Sequence, residues 1–141
     1  MFYNIYRYPS ATPYNRENAL REILVDYMPD LLMVCELESE AGLNKILNTS
    51  FGYATAPYGA SPFILNQSNP LDTLQQAVFY NKNKLILVKD TFYQTNVRDI
   101  NRYTFVLNTN EIVSDSVFLE VFVTHLKSSD SRADRLSRDS S

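Results

Sequence analysis

The stretch Pro29-Asp30-Leu31-Leu32-Met33-Val34-Cys35-Glu36-Leu37-Glu38 decides how the chain folds. Its apolar run is unbroken rather than alternating, which is the pattern of a strand covered on both faces, the central layer of an α/β fold. A buried strand delivers its terminal side chain to the carboxyl edge of its sheet, where open α/β folds place their ligands. The run stops at Glu36, so that edge carries a carboxylate. A second apolar run, Val117 to Thr124, stops at His125-Leu126-Lys127-Ser128 and offers an imidazole in the same way. A carboxylate and an imidazole at two strand ends suggest metal-assisted hydrolysis.

On the amino-terminal side of that stretch, Ala19, Leu20, Ile23, Leu24, Tyr27 and Met28 recur at helical spacing and predict a helix over Arg16 to Met28. Asn15 is placed to cap it, Glu17 lies in its first turn and Pro29 follows its end. Met1 to Tyr6 reads as a first strand, and Pro9, Ser10 and Pro13 punctuate the loop after it. On the other side, Ser39 to Asn48 predicts a shorter helix with Leu43, Ile46 and Leu47 on one face. The opening order is therefore β-α-β-α.

Gly52 to Pro70 scatters Gly, Pro, Ser and Asn among aromatics and reads as a long surface loop. Ala77 to Tyr80 and Leu85 to Val88 flank Asn81-Lys82-Asn83-Lys84, which suits a hairpin. Phe92-Tyr93 and Tyr103 to Leu107 continue as antiparallel sheet. After Lys127 the chain is almost wholly Ser, Asp and Arg, so 128–141 is expected to be frayed.

Composition sets the limits. In 141 residues, 45% hydrophobic and 13% aromatic, there is material for one core and one domain. A formal charge of -3 lacks the basic excess of a protein that grips nucleic acid mainly through phosphates. Cys35 is the single cysteine, which excludes an intramolecular disulfide and a Cys-rich zinc site. Beside Glu36 it invites a nucleophile role, but a small buried strand residue with no paired base is the simpler reading. No apolar run approaches the roughly 20 residues of a membrane span, and no signal-peptide pattern opens the chain. The three glycines form no phosphate-cradling loop.

Taken in order, Phe2-Tyr3-Asn4, the stretch from Pro29 to Glu38, Ala77-Val78-Phe79-Tyr80-Asn81, Arg98-Asp99-Ile100-Asn101 and Thr124-His125-Leu126-Lys127-Ser128 resemble the amino-terminal half of the endonuclease/exonuclease/phosphatase superfamily, in particular bacterial endonuclease-like members, many of them exported. The resemblance implies an α/β fold: the amino-terminal part of a four-layer sandwich, two mainly antiparallel sheets flanked by helices, cut short within a single partial domain over 1–141. It implies a phosphoesterase that uses magnesium (Mg2+), or manganese or calcium, with nucleic acid as substrate and no obligate protein partner. Glu36 is then the primary metal ligand, Asn4 stands beside it in the metal and phosphate shell, and His125 contacts the scissile phosphate or assists the leaving group. Magnesium takes only one or two protein carboxylates and keeps several waters, so a lone Glu36 is chemically adequate.

Each residue also has a plainer reading. Glu36 fits a solvated strand end among Glu38 and Glu40, Asn4 a strand-to-loop cap, and His125 a satisfied core histidine. Lys82, Lys84, Arg98, Arg102 and Lys127 suit phosphate contacts or a solvated face equally well. The family's Gly-Asp-x-Asn segment and closing Ser-Asp-His triplet have no counterpart here. The chain by itself is accordingly expected to be inactive. The rival readings are a lipid phosphodiesterase or inositol-phosphate phosphatase on the same scaffold, and a non-catalytic binding domain.

Overall fold

The computed structural model describes residues 1–109 and 116–126. The expected fraying of 128–141 and the candidate Lys127 lie outside the described residues. The elements run β1 (Phe2–Tyr8), α1 (Arg16–Tyr27), β2 (Leu31–Leu37), α2 (Glu40–Lys45), β3 (Tyr58–Ala60), β4 (Gln75–Asn81), β5 (Leu85–Tyr93), β6 (Ile100–Leu107) and β7 (Phe118–Val123), with a π-helical turn over Ile46–Ser50 extending α2. Two sheets form, one in the order β1-β2-β4-β3 and one in the order β5-β6-β7. Among the described strands β1 and β2 pair in parallel and the other pairs are antiparallel.

The unbroken apolar strands have the cause read from the sequence. In β2 and β4 alternate residues go to opposite cores. Leu32, Val34, Ala77 and Phe79 join Leu20, Leu24, Leu43 and Ile46 beneath the helices. Val78 faces Tyr103, Phe105, Val121 and Val123 of the second sheet, with Leu31, Met33 and Tyr80 packed against that cluster. Both faces of the first sheet are thus covered. The outer face of β5-β6-β7 exposes Ile86, Phe118 and Phe122, and no helix covers it among the described residues. Three of the four expected layers are therefore described.

The helix expectations hold in position but not in every detail. Asn15 precedes α1, yet it sits in the left-handed region at φ 62 and its side chain makes no cap. Tyr27 and Met28 are exposed, so the buried stripe of α1 narrows to Glu17, Leu20 and Leu24. Glu17 tolerates burial because the Tyr8 hydroxyl donates to its Oε2 at 2.9 Å. In α2 the Ser39 hydroxyl accepts from the Gly42 amide at 3.0 Å, a regular N-cap.

Two expectations are corrected. Asn81 to Lys84 is a turn, with the Lys84 amide donating to the Asn81 carbonyl at 3.1 Å, but it does not close a hairpin. β4 lies between β2 and β3, and β5 begins the other sheet, so this turn is where the chain crosses the sandwich. The 52–70 segment is a surface loop for most of its length, but it is pinned to the first sheet at several points. It contains β3, whose Gly59 lies so close to β4 that a Cβ would stand 2.9 Å from the Tyr80 ring. It also buries Ser61 and Asn66. Asn66 Nδ2 donates to the Leu74 carbonyl at 2.6 Å and to Gln75 Oε1 at 2.8 Å, while Asp99 accepts from the Gln67 and Ser68 amides at 2.7 and 2.8 Å. Those side chains satisfy the backbone that such a loop buries.

Candidate functional site

Asn4, Glu36 and His125 converge. Asn4 Nδ2 donates to Glu36 Oε1 at 3.0 Å, and His125 Nε2 lies 3.2 Å from the same oxygen. Glu36 Oε2 accepts from the Arg7 backbone amide at 3.1 Å, and Asn4 Oδ1 accepts from the Tyr6 amide at 2.9 Å. The first sheet supplies Asn4 and Glu36 from neighbouring strands; the second supplies His125 from the end of β7.

Local backbone irregularity produces this geometry. β2 does not stop before Glu36 as the sequence suggests; it continues to Leu37, and Glu36 sits inside it at φ 66. The register of β2 on β4 shifts between Val34 and Leu37, and that of β1 on β2 between Asn4 and Tyr8. Within the β1 irregularity Tyr6 and Arg7 have φ 43 and 47. Three non-glycine residues in the left-handed region each cost about 1–3 kcal/mol, and such residues cluster where side chains must be re-aimed. Here the bulges turn an amide N–H, a carboxylate and a carboxamide toward one point.

Burial, and then the nearby Arg98 guanidinium, hold the His125 imidazole below its ordinary pKa. At neutral pH it is therefore an uncharged donor to Glu36 rather than a full cation. Arg98 itself is ion-paired with Asp72 through its Nε. Burial, and then the charge of Glu36, push the Cys35 thiol up to about 12, so it stays protonated at neutral pH and the nucleophile reading has no support.

Two clefts flank the cluster. One of about 520 Å3 opens between the sheets and is lined by Phe2, Asn4, Met33, Cys35 and His125. The other, of about 350 Å3, is polar and is lined by Arg7, Glu38, Asn69, Asp72, Thr73 and Arg98. Of the sequence-derived cations, Arg98 stands in this cleft. Arg102 does not: it lies on the outer face of the second sheet, paired with Glu120 at 2.9 Å and with the Tyr93 hydroxyl at 2.9 Å. Lys84 binds Asp30 at 2.9 Å at the crossover turn. Sequence reasoning missed the Arg7 amide and the Asp72–Arg98 pair. The amide has no sequence signature, since any residue but proline supplies one.

No group of three or more His, Cys, Asp or Glu side chains able to hold a metal occurs among the described residues. The donor set nevertheless suits a hard, largely hydrated cation. Glu36 is a carboxylate whose partners, the Asn4 carboxamide, the Arg7 amide and His125, are neutral donors, and its Oε2, like the Asn4 carboxamide oxygen, keeps a further lone pair.

No family model matches the sequence, and no curated protein is similar to it. Solved structures are similar in fold. The human Nocturnin catalytic domain with bound sulfate anion superposes with a TM-score of 0.57 at 18% identity, over 96% of this chain and 53% of that one. TDP2 from Caenorhabditis elegans superposes with a TM-score of 0.51 at 19% identity, over 86% of this chain and 32% of that one. The chain thus spans about half the length of the first and a third of the second. The likeness is one of fold, two mainly antiparallel sheets with helices outside, and it agrees with the architecture that the sequence resemblance implies.

Proposed function

We propose that the cluster is the metal-binding part of a divalent-cation-dependent phosphoesterase that hydrolyses nucleic-acid phosphodiesters. The observation that carries this reading is the convergence of Asn4, Glu36 and His125, remote in sequence and drawn from both sheets, on one carboxylate oxygen. The superfamily fold and the ordered motifs support it. The polar cleft beside the cluster carries the exposed Arg7 next to Glu38 and the Asp72–Arg98 ion pair, so Arg7 is the cation on its wall that suits a phosphodiester oxygen.

Glu36 and Asn4 are the residues that hold magnesium in this reading. When bound, the ion polarises a phosphoryl oxygen and stabilises the leaving oxygen. Asn4 orients its carboxamide because the Tyr6 amide fixes its oxygen. His125, with a proton on Nε2, is placed to turn that donor from Glu36 to a phosphate oxygen and so hold the phosphate beside the ion.

Magnesium titrated into the chain is expected to shift the resonances of Asn4, Glu36 and His125 with a dissociation constant in roughly the millimolar range of a one-carboxylate ion. Glu36→Gln removes the negative charge at constant shape and is expected to abolish the shift. His125→Ala is expected to leave metal affinity nearly unchanged and, where hydrolysis is measured in the complete protein, to lower it about 10²- to 10⁴-fold. Absence of any metal-induced shift at the three residues overturns the reading, and equal loss of metal affinity in both variants makes His125 a ligand instead.

A further inference from the structure

The bulge that presents Asn4 and the Arg7 amide to Glu36 has a holder of its own. Residues 5–7 leave the ladder between β1 and β2, which frees the Ile5 and Tyr6 carbonyls from their strand partners. Both are taken by one side chain from the first turn of α1. Arg16 Nη1 donates to the Ile5 carbonyl at 2.6 Å and Nη2 to the Tyr6 carbonyl at 2.8 Å. The guanidinium also lies over the Tyr8 ring, 5.5 Å from its centroid, so its plane is fixed from below.

Packing alone does not hold the bulge, because on this side the chain borders a cavity of about 300 Å3 lined by Ile5, Tyr6, Tyr8, Leu20, Ile23 and Arg16 itself. Residues 5–7 stand opposite Glu36 alone, and a backbone with left-handed Tyr6 and Arg7 next to a hollow has room to shift within that bulge. Such a shift would turn the Arg7 amide away from Glu36 and release the Asn4 carboxamide from the Tyr6 amide.

We infer that Arg16 is the positioning residue of the site: its forked clamp on the Ile5 and Tyr6 carbonyls fixes the bulge that aims Asn4 and the Arg7 N–H at Glu36. The inference rests on the metal-binding reading above for its consequence, but not for its geometry. The planar fork puts a separate nitrogen on each carbonyl in a fixed geometry, whereas lysine offers the same charge and its donors from a single, freely rotating point.

The test is made on the whole chain with Arg16→Gln and Arg16→Lys. Amide exchange is read at Arg7, with Val78 and Phe105 as reporters of the two cores, and manganese affinity is read by paramagnetic broadening around Glu36. For Arg16→Gln the expected result is Arg7 exchange at least about tenfold faster, core amides within about twofold, and manganese affinity lowered roughly 10- to 100-fold, the usual effect of losing an outer-shell support. Arg16→Lys is expected to stay well short of the parent chain in both local readouts. Unchanged Arg7 exchange overturns the inference, as does acceleration of all three amides together, which marks a merely structural role. Full restoration by lysine overturns the two-carbonyl clamp. If the parent chain shows no broadening near Glu36, the metal-binding reading fails, and the Arg7 exchange still decides whether Arg16 positions the bulge.

Discussion

The sheet β1-β2-β4-β3 is enclosed, with α1 and α2 on one face and the second sheet on the other, whereas β5-β6-β7 has a packed inner face and an outer face on which Phe118 and Phe122 are 60% and 53% exposed. The strained residues Tyr6, Arg7 and Glu36 all lie in the enclosed sheet. Left-handed conformations persist only where the surroundings over-determine them, so the enclosed sheet is the one able to hold a precise ligand geometry. His125 enters from the end of β7, an edge strand of the thinner sheet. The site therefore joins a rigid half, which fixes the carboxylate and carboxamide, to a half with less packing behind it.

The largest expected effect is on the thin sheet. Phe105 is fully buried between the sheets, edge-on to Tyr80 at 5.1 Å. Phe105→Ala is expected to cost about 3–5 kcal/mol, the usual loss for a buried aromatic. Phe79→Ala in the enclosed sheet has a similar nominal cost, but its neighbour Phe51, 5.6 Å away, belongs to a larger cluster. The two variants should differ in where they loosen. Hydrogen exchange of Phe105→Ala should accelerate in β5-β7 ahead of β2 and β4, and uniform acceleration would mean that the two sheets open as one unit.

A second difference concerns association. Among the described residues, no helix covers the outer face of β5-β6-β7 and β1 and β7 are edge strands, so Phe2, Phe118, Phe122 and Leu126 are exposed. Apolar faces and open edges promote self-association. Sedimentation of the chain is expected to show concentration-dependent species, and Phe118→Ser is expected to reduce them while changing stability by less than about 0.5 kcal/mol. A monomer at all concentrations would show that the bare face is tolerated as it stands.

The same contrast explains what the sequence revealed. Unbroken apolar runs disclosed β2 and β4 because both faces of the enclosed sheet are buried, and the helical period disclosed α1. Glu36 and His125 stood out as polar residues closing such runs, and Asn4 through the resemblance. What stayed hidden was non-local or backbone-borne. The turn at Asn81 has hairpin chemistry, its Oδ1 accepting from the Asn83 amide at 3.0 Å, and nothing within four residues says which sheet the next strand joins. Nor does any side-chain pattern announce a left-handed Glu36, whose conformation follows from the bulged register with β4. β3 is three residues long, too short to show a period.

The smallest expected effect lies where the two sheets are connected. Asp30, just before β2, holds the crossover turn: its carbonyl accepts from the Asn81 amide at 2.9 Å, its Oδ1 from Asn81 Nδ2 at 3.3 Å and its Oδ2 from Lys84 Nζ at 2.9 Å. The hydrogen bond from Lys84 holds the Asp30 carboxyl below its ordinary 3.8. A carboxyl depressed in the folded state stabilises fully above its unfolded pKa and loses that contribution as pH falls through the folded value. The pair is substantially exposed, at 62% and 44% of the side chains, so its worth is that of a surface ion pair, under about 1 kcal/mol, and salt weakens it further. Asp30→Asn is therefore expected to lower the unfolding midpoint slightly at neutral pH and low salt, with the two proteins converging as pH falls below 3.8 through the depressed folded pKa, and at high salt. A difference that persists at low pH would transfer the effect from the charge to the hydrogen bonds, making the turn's geometry rather than its ion pair the tie between the sheets.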